Sequence, residues 1–125
     1  MDQRSDRTVL VVDDNPVHRY AMARLLSHAG FRVEEAWNGA DAIASAPRVN
    51  ALVIDVFMPG MDGLQVCRSL RADPATAAMP IIFFSALYGA ELRAECERAG
   101  GDAYYPSPVP ADELSSKIAS LMGIQ

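Results

Sequence analysis

Three stretches of this chain, Thr8-Val-Leu-Val-Val12, Ala51-Leu-Val-Ile54 and Ile81-Ile-Phe-Phe84, are unbroken apolar or β-branched runs. A strand with one face in water alternates apolar and polar side chains, whereas an unbroken run implies burial on both faces. Such strands need a layer above and a layer below the sheet, and the segments between the runs have the pattern to supply both.

Asn15 and Pro16 open a first helix, Asn as N-cap and Pro at the first helical position, and Gly30 closes it. Val17, Ala21 and Leu25, flanked by Met22 and Leu26, form its apolar face. Phe31 to Ala36 alternates as a half-exposed strand near a sheet edge does. Asn38-Gly39 turns into a short helix with Ala42 and Ile43 inward, ending before Pro47. Asp62 caps a third helix, with Gln65 placed as its capping-box partner and Leu64, Cys67 and Leu70 along it. After a loop over 73–80 and the third apolar run, a helix spans 90–99 with Leu92 and Cys96 on one side. Gly100-Gly101 stops it. Ala103 to Tyr105 is a brief fifth strand, and Leu114, Ile118, Leu121 and Met122 mark a last helix. Asp112 and Glu113 favour its first turn through the helix dipole.

Five strands alternating with five helices imply an α/β fold with a parallel sheet covered on both faces, since each crossover is right-handed and carries a helix. At 125 residues the chain suits one domain over 8–125, preceded by a flexible tail over 1–7. A net charge of −5 argues against non-specific affinity for nucleic acid or anionic lipid. Cys67 and Cys96 have no metal-like spacing and read as small side chains in a reducing compartment. No apolar run approaches the roughly 18 residues of a membrane span, and the polar start lacks a secretion signal, so the expected location is cytoplasmic.

The functional clue lies at the strand ends. Asp13-Asp14, Asp55 and Ser85 each follow an apolar run, and a parallel sheet brings all its carboxyl ends to one rim, where open α/β sheets keep their chemistry. Three carboxylates so close repel one another unless a hard cation sits among them, and Mg²⁺ suits oxygen ligands while leaving room for a phosphate. The fitting chemistry is phosphoryl transfer onto a carboxylate, giving an acyl phosphate, with Ser85 bonding a phosphoryl oxygen. A dinucleotide site would need G-x-G-x-x-G after the first strand, which is absent, and a mononucleotide loop would not hold Asp13-Asp14. An aspartate-nucleophile phosphatase has a second Asp two residues after the first, where this chain has Phe57. With no group for general-base catalysis, a multi-turnover enzyme is not expected. His18 and His28 read as solvated helix surface.

Val-Val-Asp-Asp-Asn-Pro (11–16), Ala-Trp-Asn-Gly (36–39), Asp-Val-Phe-Met-Pro-Gly-Met-Asp-Gly (55–63), Ser-Ala (85–86) and Gly-Gly-Asp-Ala-Tyr (100–104) occur in this order and spacing. Over about residues 8–122 the chain thereby resembles the receiver domain of a two-component response regulator. The resemblance implies a flavodoxin-like strand order, 2-1-3-4-5. It implies that a histidine kinase or phosphotransfer protein donates phosphoryl to Asp55, with Mg²⁺ held by Asp13, Asp14, Asp55 and the backbone carbonyl of Phe57. Ser85 would be the switch hydroxyl, and Tyr104 the aromatic that turns inward as that hydroxyl moves. Signalling would run through protein contacts on the face over residues 90–122, in a monomer or weak homodimer.

One departure stands out. Where the family has a lysine before the proline after its fifth strand, this chain has Ser107, and its one lysine is Lys117. An ammonium at about 4 Å from a phosphoryl oxygen carries on the order of 4 kcal/mol of Coulomb energy at an effective dielectric of about 20, before desolvation. The alternative function is therefore a binding module indifferent to phosphorylation. The resemblance also marks Ser107-Pro108 as a cis peptide.

Overall fold

In the computed structural model, which describes residues 3–125, the chain alternates strand and helix throughout. The elements are β1 (Thr8–Val12), α1 (Pro16–His28), β2 (Arg32–Ala36), α2 (Gly39–Ser45), β3 (Ala51–Asp55), α3 (Gly63–Ala72), β4 (Ile81–Ser85), α4 (Ala90–Ala99), β5 (Ala103–Pro106) and α5 (Ala111–Leu121). The strands form one parallel sheet in the order β2-β1-β3-β4-β5. The parallel sheet is the one expected from the alternation, and its strand order is the one the family resemblance implies.

The unbroken apolar runs serve two cores at once. Leu10, Val12, Leu52, Ile54, Ile81 and Phe83 face one side, where they pack with Ala42, Val66, Cys67, Leu70, Cys96 and Ala99. Their neighbours Val9, Val11, Ala51, Val53, Ile82 and Phe84 face the other, against Met22 and Leu26 of α1 and Leu114, Ile118 and Ala119 of α5. Successive strand side chains point to opposite faces, so each run divides itself between the layers. β2 has a single neighbour, β1, and its interior positions are only partly covered, as its alternation implies.

One expectation needs correction. Val17 is 73% exposed and Ala21 is also exposed; the face of α1 turned to the sheet carries Met22 and Leu26, with Leu25 half-buried. Val17 lies in the first turn, beyond the sheet's rim, where there is nothing to cover it. Of the expected tail over 1–7, residues 1–2 lie outside the described residues. Arg4–Asp6 forms a 3-10 turn, and Arg4 donates to the carbonyls of Ala29 and Gln125, both at 3.0 Å, with its guanidinium 5.2 Å from the Phe31 ring centre. Carbonyls left over at a helix end and at the chain's last residue give the arginine partners that a polar segment alone would not reveal.

Two loops are tied together by Arg71, at the end of α3. Its guanidinium donates to the carbonyls of Gly100 (2.9 Å), Ala77 (3.1 Å) and Met79, and it pairs with Asp102 at 2.9 Å. Asp102 in turn accepts from the Ile81 N–H at 2.8 Å, at the start of β4. Replacing Arg71 with Met would leave these acceptors without their donors. We expect Arg71→Met to cost about 2–4 kcal/mol in urea unfolding; an unchanged midpoint would contradict this role.

Candidate functional site

The strand register sets the site. Val12 pairs with Ala36 and Ile54, Asp55 with Phe84, and Ser85 with Pro106, so Asp13, Asp14, Asp55 and Ser85 emerge side by side at the carboxyl rim. One carboxylate oxygen from each of Asp13, Asp14 and Asp55 lies within 4.8 Å of the others. Beyond Asp55 the chain turns sharply: Gly60 has φ +76°, and the Gly63 N–H donates to the Val56 carbonyl at 2.9 Å. A Cβ on Gly63 would collide with the Asp55 backbone carbonyl, so only glycine lets α3 start this close to the site. Asp62 and Gln65 form the expected capping box there.

Each carboxylate has its own surroundings. Asp13 is fully buried; one oxygen accepts from the Asn15 N–H at 2.9 Å, and the other, Oδ2, has no hydrogen-bond partner. Arg19 donates to the Asp13 backbone carbonyl and to Glu35, both at 3.0 Å, and stacks 5.1 Å from the Trp37 ring centre, which pins the end of β1. Asp55 is half-buried and accepts from the Phe57 N–H at 3.2 Å. Burial pushes the Asp55 carboxyl up to about 6; the Phe57 N–H opposes the rise, and the carboxylates of Asp13 and Asp14 add to it. Burial also raises Asp13. An orphaned buried oxygen, three converging carboxylates and two raised acids make a donor set that fits a hard divalent cation.

The remaining residues expected at the site fall around it. Ser85 is buried, and its Oγ accepts from the Leu87 N–H at 3.1 Å. Tyr104 is buried as well, and its hydroxyl donates to the Leu87 carbonyl at 2.5 Å. Both therefore hold the same residue. The Ser107-Pro108 peptide is cis, and the Ser107 N–H donates to the Ser85 carbonyl at 2.7 Å. Ser107, Ser85 and Asp55 line a cavity of about 630 Å³ that α1 bounds on its other side. His28 sits away from the rim, 3.4 Å from Arg24. His18 does not: its Nδ1 lies 3.9 Å from the orphaned Asp13 Oδ2, and its ring lines the same cavity. The sequence held a signal for this, because Asn15 as N-cap puts the first turn of α1 at the rim.

The raised Asp55 acid has a consequence for stability. Between about pH 4 and pH 6 the folded chain holds a proton there that the unfolded chain has released. Stability therefore falls as pH rises through that window. At pH 7 without divalent cation, Asp55→Asn should stabilise the fold by about 1–2 kcal/mol, after discounting for solvent screening. Millimolar Mg²⁺ should stabilise the parent chain and not the variant. Thermal unfolding with chelator and with Mg²⁺ tests both, and a destabilised Asp55→Asn in chelator would contradict the electrostatics.

Comparison with known proteins agrees with this geometry. The family model described as the response regulator receiver domain matches residues 9–119. The response regulator MprA of Mycobacterium avium is 38% identical over 116 residues, covering 91% of this chain and 50% of that protein. Its counterpart in Mycobacterium tuberculosis strain H37Rv matches to the same extent. The chain thus spans about half the length of the curated relatives it matches. Among solved structures, the receiver domain of the sensor histidine kinase PA1611 from Pseudomonas aeruginosa superimposes with a TM-score of 0.85 at 30% identity. The match covers 94% of this chain and 98% of that one, and that structure has a magnesium ion coordinated in its active site cleft. The signal receiver domain of a histidine kinase from Syntrophus aciditrophicus gives a TM-score of 0.84 at 27% identity, over 94% and 90% of the two chains. The chain belongs to the response regulator receiver domain family, the signalling modules of two-component systems.

Proposed function

We propose that Asp55 accepts a phosphoryl group from a histidine kinase or phosphotransfer protein, with Mg²⁺ held by Asp13, Asp14, Asp55 and the backbone carbonyl of Phe57. The observation that carries this reading is the convergence of three carboxylates, one of which, Asp13, has a fully buried oxygen without a hydrogen-bond partner. The magnesium ion in the PA1611 receiver domain supports it.

In the transfer, an Asp55 carboxylate oxygen attacks phosphorus while the bond from phosphorus to the donor's imidazole nitrogen breaks. The imidazole keeps that electron pair, and no group is oxidised or reduced. Bound Mg²⁺ supplies the charge that offsets the phosphoryl oxygens and the crowded carboxylates. The Phe57 N–H holds Asp55 in place, and Asn15 does the same for Asp13. Ser85 can donate its hydroxyl proton to a phosphoryl oxygen while still accepting from the Leu87 N–H, since the hydroxyl does both. The site is thus an acceptor rather than a multi-turnover enzyme, which suits a protein working in the cytoplasm beside its kinase.

The response would reach partners through α4, β5 and α5, where Arg93, Glu97, Tyr105 and Lys117 surround a shallow cavity of about 270 Å³. The acidic balance of the domain favours a protein partner there over nucleic acid, and exposed charges of both signs suit a monomer or weak dimer. One observation favours the second reading, a binding module with a fixed output face. Tyr104 already lies inward and is bonded to Leu87, the position that the family resemblance assigns to the switched state.

Treatment with acetyl phosphate and Mg²⁺ should add one phosphoryl group by intact mass, and chelator or Asp55→Asn should abolish it. Modification that survives Asp55→Asn would misplace the acceptor. Asp13→Asn with Asp14→Asn should remove metal binding, followed by Trp37 fluorescence; unchanged affinity would rule out the metal assignment. Partner affinity that ignores both Asp55→Asn and Ser107→Lys would establish the fixed module instead of the switch.

A further inference from the structure

The cavity beside Asp55 is short of donors. Of the side chains that line it, only His18, Ser85 and Ser107 have an N–H or O–H to give. Ser85 is assigned above to one phosphoryl oxygen. Ser107 occupies the family's lysine position, yet its side chain is exposed and short, and its backbone is tied to the Ser85 carbonyl. His18 approaches from the opposite wall, in the first turn of α1, with Nδ1 3.9 Å from Asp13 Oδ2.

Helix stability does not account for His18. Asn15 and Pro16 already satisfy the start of α1, with Asn15 accepting from the Val17 and His18 backbone N–H groups. A histidine gains nothing from a helix N-terminus, whose dipole favours acidic side chains. The ring is 67% exposed and makes no hydrogen bond among the described residues, so its donor is available. The next cavity-lining residue on α1 is Ala21, with a small side chain, and Asp55 lines the same cavity.

Resting on the phosphoacceptor reading of Asp55, we infer that His18 supplies, from α1, the hydrogen bond to the phosphoryl oxygens that a lysine at position 107 would otherwise supply. Its ring N–H donates to an oxygen of the group on Asp55, on the side away from Ser85. The donor at the site has moved from the loop after β5 to the helix after β1. His18 acts on the transferred group itself, not through another residue.

The test compares the rate of phosphorylation by acetyl phosphate, at saturating Mg²⁺, in the parent chain, His18→Ala, His18→Gln, Ser107→Lys and the double variant His18→Ala with Ser107→Lys. His18→Ala should slow the reaction roughly tenfold, the effect of losing one hydrogen bond to a charged group. His18→Gln, which keeps an N–H donor, should retain most of the rate. In the Ser107→Lys background the same alanine substitution should cost less than about twofold, because the ammonium takes over the contact. Independently, the His18 ring nitrogens should shift in NMR spectra when beryllofluoride, a phosphoryl mimic, is added with Mg²⁺. Equal rates for the parent and His18→Ala, or an equal loss in both backgrounds, would overturn the inference while leaving Asp55 as acceptor. Failure of the parent chain to be phosphorylated would overturn both.

Discussion

Burying a carboxylate at the end of an apolar strand costs free energy, and little in this protein offsets that cost. Asp13 has no exposure and one oxygen without a partner, and Asp55 sits against Val56 and the end of β4 with a single backbone donor. The rest of the fold is arranged to keep both there. Arg19 clamps the β1 terminus, the glycine at 63 lets α3 begin against the Asp55 carbonyl, and the Asp62–Gln65 box fixes that helix start. The rim is therefore a place where the sheet's hydrophobic logic is broken, and under the proposed function a divalent cation would make the break tolerable.

Much of this was legible in the residues. The unbroken runs at 8–12, 51–54 and 81–84 required two covered faces, and the cores show each run dividing between them. Asn15, Pro16, Asp62 and Gln65 placed helix starts because capping is local chemistry. The convergence of Asp13, Asp14 and Asp55 followed from parallel strands sharing a rim. What escaped depended on depth and reach. Val17 and Ala21 have the spacing of a core face, yet the first turn of α1 overhangs the sheet. His18 belongs to that same overhang, which is why periodicity read it as surface. Arg4 finds its partners across the fold, at Ala29 and Gln125, where no local pattern points.

The β4–α4 junction shows how few atoms connect the rim to β5. Leu87 gives its N–H to Ser85 Oγ and its carbonyl accepts from the Tyr104 hydroxyl, so the hydroxyl at the site and the aromatic on β5 meet through the backbone of one residue. A shift of Ser85 toward Asp55 would be felt at Tyr104 through that residue as well as through the β4–β5 ladder, with little slack between. Leu87 itself is exposed, so the coupling depends on backbone bonds and not on packing.

The Arg4 contact at the opposite pole has a different meaning. By bonding the carbonyl of Gln125, it brings the beginning and the end of the described chain side by side beneath the amino ends of the strands. Over the described residues the backbone thus nearly returns to its start, and a short linker from Gln125 to the segment before β1 would leave every strand undisturbed. New ends cut into the exposed part of the loop between α3 and β4 would then give a rearranged protein with the same sheet. In that molecule the acidic rim would keep its geometry although the order of its residues along the chain had changed, with Ser85 coming before Asp13 and Asp55 last.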